Sequence, residues 1–540
     1  MTADLVLTNA VLWDRPRSSA LAVAGERIVA IGARDDLRGL VGPSTRVIDV
    51  RGRSVLPSFQ DAHVHPLPAG LAMTRCNLHG LSGPDALRAG VAAYAAAHPA
   101  ESWILGFGWE EDLAADWLDK RLLDEVAPDR PVFLMSAGLH DAWLNGAALA
   151  AAGIDAGRAD PPDGRIGKDA GGEPNGLLHE GAVRFAEAAA PPVSDEVNDA
   201  AMLAAQAHMH ALGITAWQDA WTTPEVLGAY QRLALSGTLT ARVTAALWWE
   251  RLRGEEQIEE FVASRAASFI GRLKATSVKI MVDGTTGNLS ASVLEPYLDD
   301  EGLPTCGCGT DFVPADKLTS AVTKLDAAGF QVHFHAIGER AVRNALDAVE
   351  AARLANGWSD LRHHIAHVCL VHPDDVPRFA TLDVSANIQP LWAAASPDMI
   401  RESRILGHPR STWWYPFEGI RSGGGRLAGG SDWPVSTADP FQEMHVAVNR
   451  TLPGDDGPSF LPDERLSVDA AVRSFTSGAA YVNRLDDLTG DLTVGKLADL
   501  IVLDRDLMAA DPAALCEARV LLTLVGGAVV HEHPDLDSAG

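Results

Sequence analysis

The chain has 540 residues, 47% of them hydrophobic and 21% charged, a globular profile with ample core for one large or two smaller domains. This composition excludes intrinsic disorder. The formal net charge of −28 argues against nucleic acid or an anionic membrane surface as a partner.

The lack of a recognisable targeting signal and the small number of cysteines together predict a cytoplasmic protein. The N-terminal MTADLVLTNA lacks the basic region and apolar core of a signal peptide, and no apolar run is long enough to cross a membrane. The five cysteines form no disulfide framework, which is typical of a reducing compartment. Cys306 and Cys308 are compatible with a metal clip, but no second pair of this kind accompanies them.

Both ends of the chain carry short apolar segments separated by tight turns. Gly25-Glu26 and Gly526-Gly527 mark two of these turns. We therefore expect a small β-sandwich domain built from both termini, residues 1–54 and 487–540.

The middle of the chain, residues 55–486, alternates short apolar runs with Ala-rich amphipathic helices. This alternation predicts an α/β protein with a (β/α)8 TIM-like barrel. The eight predicted strands are 54–63, 213–220, 242–249, 277–284, 330–336, 362–370, 383–390 and 426–434. Residues 75–210 exceed what one crossover needs, which predicts a large insertion after the first barrel strand with structure of its own.

Histidines, a lysine and an aspartate recur at the ends of these apolar runs. His63 and His65 are two residues apart, so on a strand both imidazoles point to one face. The other candidates are Lys279, His335, His367 and Asp432. A lone histidine on a strand is more often a core residue, but the carboxyl ends of parallel barrel strands converge on one face. Their joint occurrence predicts a metal site.

These motifs resemble the amidohydrolase superfamily and, within it, amidohydrolase family 3, the YtcJ-like hydrolases that include the N-substituted formamide deformylases. PSFQDAHVHP is similar to the first-strand signature of the superfamily. VKIMVDGTTGNLSA, HFHAIGERAV, RHHIAHVCLVHPDD and GGSDWPV are similar to the subgroup. The resemblance covers the chain from about residue 4 to 530 and supports the predicted barrel.

The resemblance implies a role for each candidate ligand. His63, His65 and Asp432 would bind a first metal, and His335 and His367 a second. Lys279 would bridge the two if its amine is carboxylated. The expected cofactor is a divalent metal, Zn²⁺ above all, with one ion per chain or two if Lys279 is carboxylated. Asp432 would be the catalytic general base. His363 and His364 lie beside the pattern and are expected to be structural or to support the ligands from behind.

The expected substrate is a small apolar or aromatic molecule. The chain has 14 tryptophans, several of them at strand ends, which favours an aromatic-walled pocket. Trp109 and Trp392 are candidate substrate contacts, and His140 resembles a position that faces the substrate in relatives. A homodimer is common among such relatives.

We expect hydrolysis of an amide C–N bond in an N-acyl or N-formyl compound. The sequence leaves open a lyase, decarboxylase, isomerase or ester and lactone hydrolase at the same site, because a fold does not determine its chemistry. The intact ligand set argues against a non-catalytic scaffold.

Overall fold

A computed structural model describes residues 2–110 and 117–536. Eight parallel strands form one sheet in which every strand pairs with its neighbours in chain order. The strands are Phe59–Val64, Ile214–Thr222, Arg242–Trp248, Leu273–Met281, Gln331–Ala336, His364–His367, Ser385–Ile388 and Leu427–Gly429. They are buried along nearly their whole length, as expected for parallel strands covered by helices. The predicted (β/α)8 barrel is confirmed.

Helices follow the barrel strands and cover the outside of the sheet. They are Pro224–Ser236, Gln257–Ala267, Ala315–Ala327, Glu339–Asn356, Val376–Thr381, Pro397–Leu406 and Phe417–Ser422, with Asp195–Ala211 before the second strand. Pro440–Asn449, Val468–Arg473 and Ala479–Val482 come after the last strand. The ends of the helix Pro224–Ser236 are set by its local sequence. Thr223 caps its N-terminus, Pro224 is its first residue, and Gly237 ends it at φ 76°.

Two further sheets lie at the ends of the chain. The four-stranded sheet has the order Arg27–Gly32, Ala20–Ala24, Leu5–Thr8 and Arg46–Asp49. The five-stranded sheet has the order Val11–Leu12, Ser54–Pro57, Leu500–Leu503, Val520–Val525 and Ala528–Glu532. One hydrophobic cluster contains residues from both termini, including Leu7, Val55 and Leu522.

The predicted first strand, 54–63, is divided in the structure. Ser54–Pro57 pairs antiparallel with Leu500–Leu503 in the terminal sheet. Ser58 then donates its backbone N–H to Asp499, and the barrel strand begins at Phe59. The boundary between terminal and barrel strands therefore lies at Ser58.

Residues 66–204 form a second compact unit together with residues 433–436. Its six-stranded sheet has the order Gly164–Lys168, Pro174–Glu180, Asp141–Leu144, Val132–Ser136, Ile104–Trp109 and Cys76–Asn77. Its helices are Pro66–Ala72, Pro84–Ala97, Lys120–Val126, Gly146–Ala151 and Arg184–Ala189. The insertion thus has a sheet and core of its own, and it begins at Pro66 where the sequence suggested residue 75. Within the described ranges, no helix combines the length and apolar character needed to cross a membrane.

Candidate metal centre

The first and last barrel strands bring three polar side chains to one point. His63 lies in the first strand, His65 directly follows that strand, and Asp432 follows the last one. Nε2 of His63 and Nε2 of His65 lie 3.1 Å and 2.9 Å from Oδ1 of Asp432. Among the described residues, this trio forms a group with metal-ligand atoms all within 4.8 Å of one another.

The other three predicted ligands lie against this trio. Nζ of Lys279 is 3.5 Å from Nε2 of His63. Nδ1 of His367 is 3.9 Å from Oδ2 of Asp432, and the rings of His367 and His335 have centroids 4.3 Å apart. All six side chains are buried, and they come from five different barrel strands or the segments that follow them. The structure therefore places the whole predicted set together at the carboxyl end of the barrel.

Backbone contacts fix the end of the last strand beside the first. Asp432 donates its N–H to the carbonyl of His63 at 2.7 Å. The Asp61 carboxylate accepts from the N–H of His63 at 2.9 Å and from the hydroxyl of Ser431 at 2.6 Å. Asp432 itself has φ 58°, a conformation that costs free energy outside glycine and is concentrated at functional sites.

Burial sets the protonation of the cluster. It lowers the pKa of Lys279 to about 7 and the pKa of His63 well below its usual value. Burial alone would raise the pKa of Asp432, but the imidazoles of His63, His65 and His367 hold that pKa well below its usual value. An ionised Asp432 carboxylate beside imidazole nitrogens is a set of groups that can bind a metal ion.

The donor set fits a divalent metal ion. Two imidazole nitrogens converge on one carboxylate oxygen, and nitrogen with carboxylate oxygen is a combination that suits Zn²⁺. Nε2 of His65 contacts Asp432, whereas the buried Nδ1 of this ring has no hydrogen-bond partner among the described residues.

Two polar side chains beneath the cluster, His333 and Gln218, were not predicted from the sequence, whereas His363 and His364 were expected to have a supporting role. Nδ1 of His63 lies 2.8 Å from Nε2 of His333, whose Nδ1 lies 2.8 Å from Oε1 of Gln218. His364 contacts the same oxygen at 3.0 Å, while His363 contacts Asp326. The alternation His333-Phe334-His335 could have indicated His333, because residues two apart on a strand share a face and His335 was already a candidate.

Trp392 lies at the cluster, and its role as a substrate contact stays a prediction. Its ring stacks on that of His367, with centroids 6.0 Å apart and planes 10° apart. Trp221 contacts His65 edge-on, with centroids 6.1 Å apart, and lies next to Trp248. These three indoles give the cluster an aromatic border.

Two other candidate substrate contacts lie in the insertion unit. Trp109 is fully buried in its core, and its indole N–H donates to the carbonyl of Leu134. This packing accounts for Trp109 and does not support a substrate contact. Nδ1 of His140 lies 2.9 Å from the Glu180 carboxylate, and its substrate role stays a prediction. Cys306 is exposed, and neither it nor Cys308 belongs to a ligand group among the described residues.

Comparison with known proteins gives matches along nearly the whole chain. A family model described as the amidohydrolase family matches residues 46–531. The Bacillus subtilis protein YtcJ is 30% identical over 531 residues, covering 97% of each chain. An N-substituted formamide deformylase of Arthrobacter pascens is 27% identical and covers 98% of each chain.

Solved structures show the same fold. The structure of an uncharacterized metal-dependent hydrolase from Pyrococcus furiosus is 26% identical, with a TM-score of 0.70. It covers 94% of this chain and 99% of its own.

Proposed function

This chain belongs to the amidohydrolase family, and from that premise we propose that it hydrolyses a carbon–nitrogen bond in a small N-formyl or N-acyl compound. The observation that carries the proposal is the convergence of His63 and His65 on one oxygen of Asp432. The formamide deformylase among its relatives supports the class of bond.

The metal ion that this site implies would be held first by His63, His65 and Asp432. His335 and His367 would hold a second, and a carboxylated Lys279 would be the bridge between them. Carboxylation converts a buried amine into an anion, which suits a site for two divalent cations. When bound, a divalent ion supplies Lewis-acid chemistry, which polarises a carbonyl and lowers the pKa of water. We propose Zn²⁺ as the ion.

Asp432 is placed to move the proton that hydrolysis requires. Its Oδ1 faces His63 and His65, while its Oδ2 faces His367. As an ionised carboxylate it accepts a proton from the attacking water and then returns that proton to the leaving amine. Because a low pKa keeps this carboxylate ionised at neutral pH, the base is ready before substrate binds.

The aromatic border favours a substrate with an apolar or aromatic group. Trp392 and Trp221 present indole faces and edges beside the histidines. Flat apolar groups pack well against such rings, with centroids typically about 4.5–7 Å apart. The expected partner is therefore a small molecule; the homodimer and the cytoplasmic location stay predictions.

A hydrolysis screen tests this proposal. It compares N-formyl, N-acetyl, cyclic-amide and ester compounds that carry the same benzyl group, with enzyme loaded with Zn²⁺. We expect release of the amine from formyl or acetyl compounds, and a raised KM for them in Trp392→Ala. Turnover of the esters alone would contradict the assignment of the bond.

A further inference from the structure

A chain of buried polar groups leads from the bottom of the barrel to the proposed metal ligand His63. Gln331, Gln218 and His333 form this chain, which we call the amide relay. Nε2 of Gln218 lies 3.0 Å from Oε1 of Gln331, and Oε1 of Gln218 lies 2.8 Å from Nδ1 of His333. All three residues are at most 1% exposed, so each of their polar groups needs a partner within the protein.

Backbone carbonyls fix the direction of the relay at one end. Nε2 of Gln331 lies 2.8 Å from the carbonyl of Arg362 and 2.9 Å from that of Val482. Carbonyls only accept, so this nitrogen is the amide donor and Oε1 of Gln331 is the acceptor. Nε2 of Gln218 therefore donates to Gln331, and Oε1 of Gln218 is an acceptor.

A second, independent anchor gives the same direction. Nδ2 of Asn387 donates to the carbonyl of Ala62 at 2.8 Å, so it also donates to Nδ1 of His364 at 3.2 Å. A neutral His364 then carries its proton on Nε2, which lies 3.0 Å from Oε1 of Gln218. This oxygen is thus an acceptor by both routes.

The direction of the hydrogen bonds in the relay determines which ring nitrogens of His333 and His63 carry a proton. Because Oε1 of Gln218 accepts, Nδ1 of His333 carries a proton. The ring of His333 is fully buried between an amide and an imidazole, so it is neutral and its Nε2 accepts. Nδ1 of His63 therefore donates to it at 2.8 Å, and the lone pair of a neutral His63 lies on Nε2.

We propose that Gln218 is a positioning residue that fixes the tautomer of His63, so that the Nε2 lone pair is available to a metal ion that His63 would hold together with Asp432. This inference rests on the proposed function, because it concerns how His63 binds a metal ion. The opposite tautomer would place an N–H on Nε2, and binding through that nitrogen would then require proton transfer. Groups that fix a histidine ligand in this way typically change metal affinity by about 10- to 100-fold when removed.

Two measurements test the relay. The first is the ¹⁵N spectrum of the zinc-loaded wild type with labelled histidine, in which His63 is identified by substitution. We expect zinc on Nε2 of His63 and a proton on its Nδ1. The second is zinc affinity, measured by chelator competition, for the wild type, Gln218→Met and Gln206→Met.

Gln206 is a matched control. It is a buried glutamine of the same unit that hydrogen-bonds Thr238 and Thr240 and lies outside the relay. We expect Gln218→Met to bind zinc about 10- to 100-fold more weakly and Gln206→Met to stay near the wild type. Unchanged affinity in Gln218→Met, or zinc on Nδ1 of His63, would overturn the relay.

If Gln218→Met does not fold, the wild-type spectrum still tests the relay, because zinc on Nδ1 of His63 would overturn it. A wild type that binds no zinc, nickel, manganese or iron would instead remove the proposed metal-dependent function, together with the relay that rests on it. A wild type that binds zinc through His63 Nε2 and loses no affinity in Gln218→Met would remove the relay alone.

Discussion

The backbone N–H of Asp432 donates a 2.7 Å hydrogen bond to the carbonyl of His63, which joins the last barrel strand to the first. The two residues are far apart in sequence, and both offer side chains to the same cluster. The contact that joins the two strand ends therefore also brings the side chains of the proposed metal centre together. A change that separates these strand ends should damage the centre.

Gly430 provides a direct way to separate them. A Cβ at this position would lie 2.7 Å from the Cβ of His63 and 2.8 Å from its backbone N. We expect Gly430→Ala to lose most bound metal and activity and to cost about 1–3 kcal/mol of stability. Gly39→Ala is the control, because nothing lies within 4 Å of the added methyl group there. Full metal content and activity in Gly430→Ala would contradict the requirement for close approach.

Asp432→Asn tests the proton transfer assigned to this side chain. The amide keeps nearly the same shape but cannot accept the proton from water, so kcat should fall by about 10²–10⁴-fold. Circular dichroism and the thermal unfolding profile would establish that the fold is intact. Retention of full turnover would show that another group is the base.

Lys279 is expected to carry a carboxylate when two metal ions are bound. Burial lowers its pKa to about 7, so much of the amine is neutral and able to react with carbon dioxide at neutral pH. Protein equilibrated with ¹³C-bicarbonate and zinc should show a carbamate ¹³C signal that is absent from Lys279→Ala.

Lys274 is the matched control for this signal. It lies on the same strand, and burial lowers its pKa to about 8, but it donates to the carbonyl of Asn483. The signal should persist in Lys274→Met. A signal that disappears in Lys274→Met and persists in Lys279→Ala would show that Lys274, and not Lys279, is carboxylated.

The shifted pKa of the Asp326 carboxyl should make the stability of the fold depend on pH, independently of the metal centre. Burial alone would raise its pKa, but hydrogen bonds from His363, Asn356 and Ser359 lower the pKa to about 2, against an ordinary value of 3.8. Because the folded pKa lies below the unfolded one, the stabilisation is complete above about pH 4 and is lost as pH falls toward 2. Its size is about 2 kcal/mol.

The urea midpoint of Asp326→Asn should accordingly lie well below that of the wild type at pH 6, and the gap should narrow below pH 4. Asp374→Asn changes the carboxylate of a surface pair with His372 and should leave the midpoint unchanged at both pH values. A gap for Asp326→Asn that stays constant from pH 6 to pH 3 would contradict the assigned pKa.

Much of the proposed centre could be predicted from sequence for a geometric reason. A strand has a period of two, and parallel strands converge at their carboxyl ends, so His63, His65 and Asp432 could be placed together without coordinates. The same reasoning made Lys279, His335 and His367 candidates, and the resemblance to a known family then implied a role for each of them.

The rest depends on contacts that leave no periodic signal. Gln218 and Asn387 are buried polar residues of barrel strands, and only their neighbours across the barrel show what they bind. The grouping of residues 433–436 with the insertion is likewise a tertiary feature. Trp109 shows the opposite case, because the sequence suggested a substrate contact where the structure shows core packing.

Metal analysis of wild-type protein, purified without chelator and assayed in the same preparation, is the decisive test of metal-dependent hydrolysis. We expect one to two divalent ions per chain, loss of activity when a chelator removes them, and recovery on adding zinc. Replacing His63 and His65 together by Ala should remove bound metal and activity in parallel. Full activity in a metal-free preparation would show that hydrolysis by this protein does not need a metal ion.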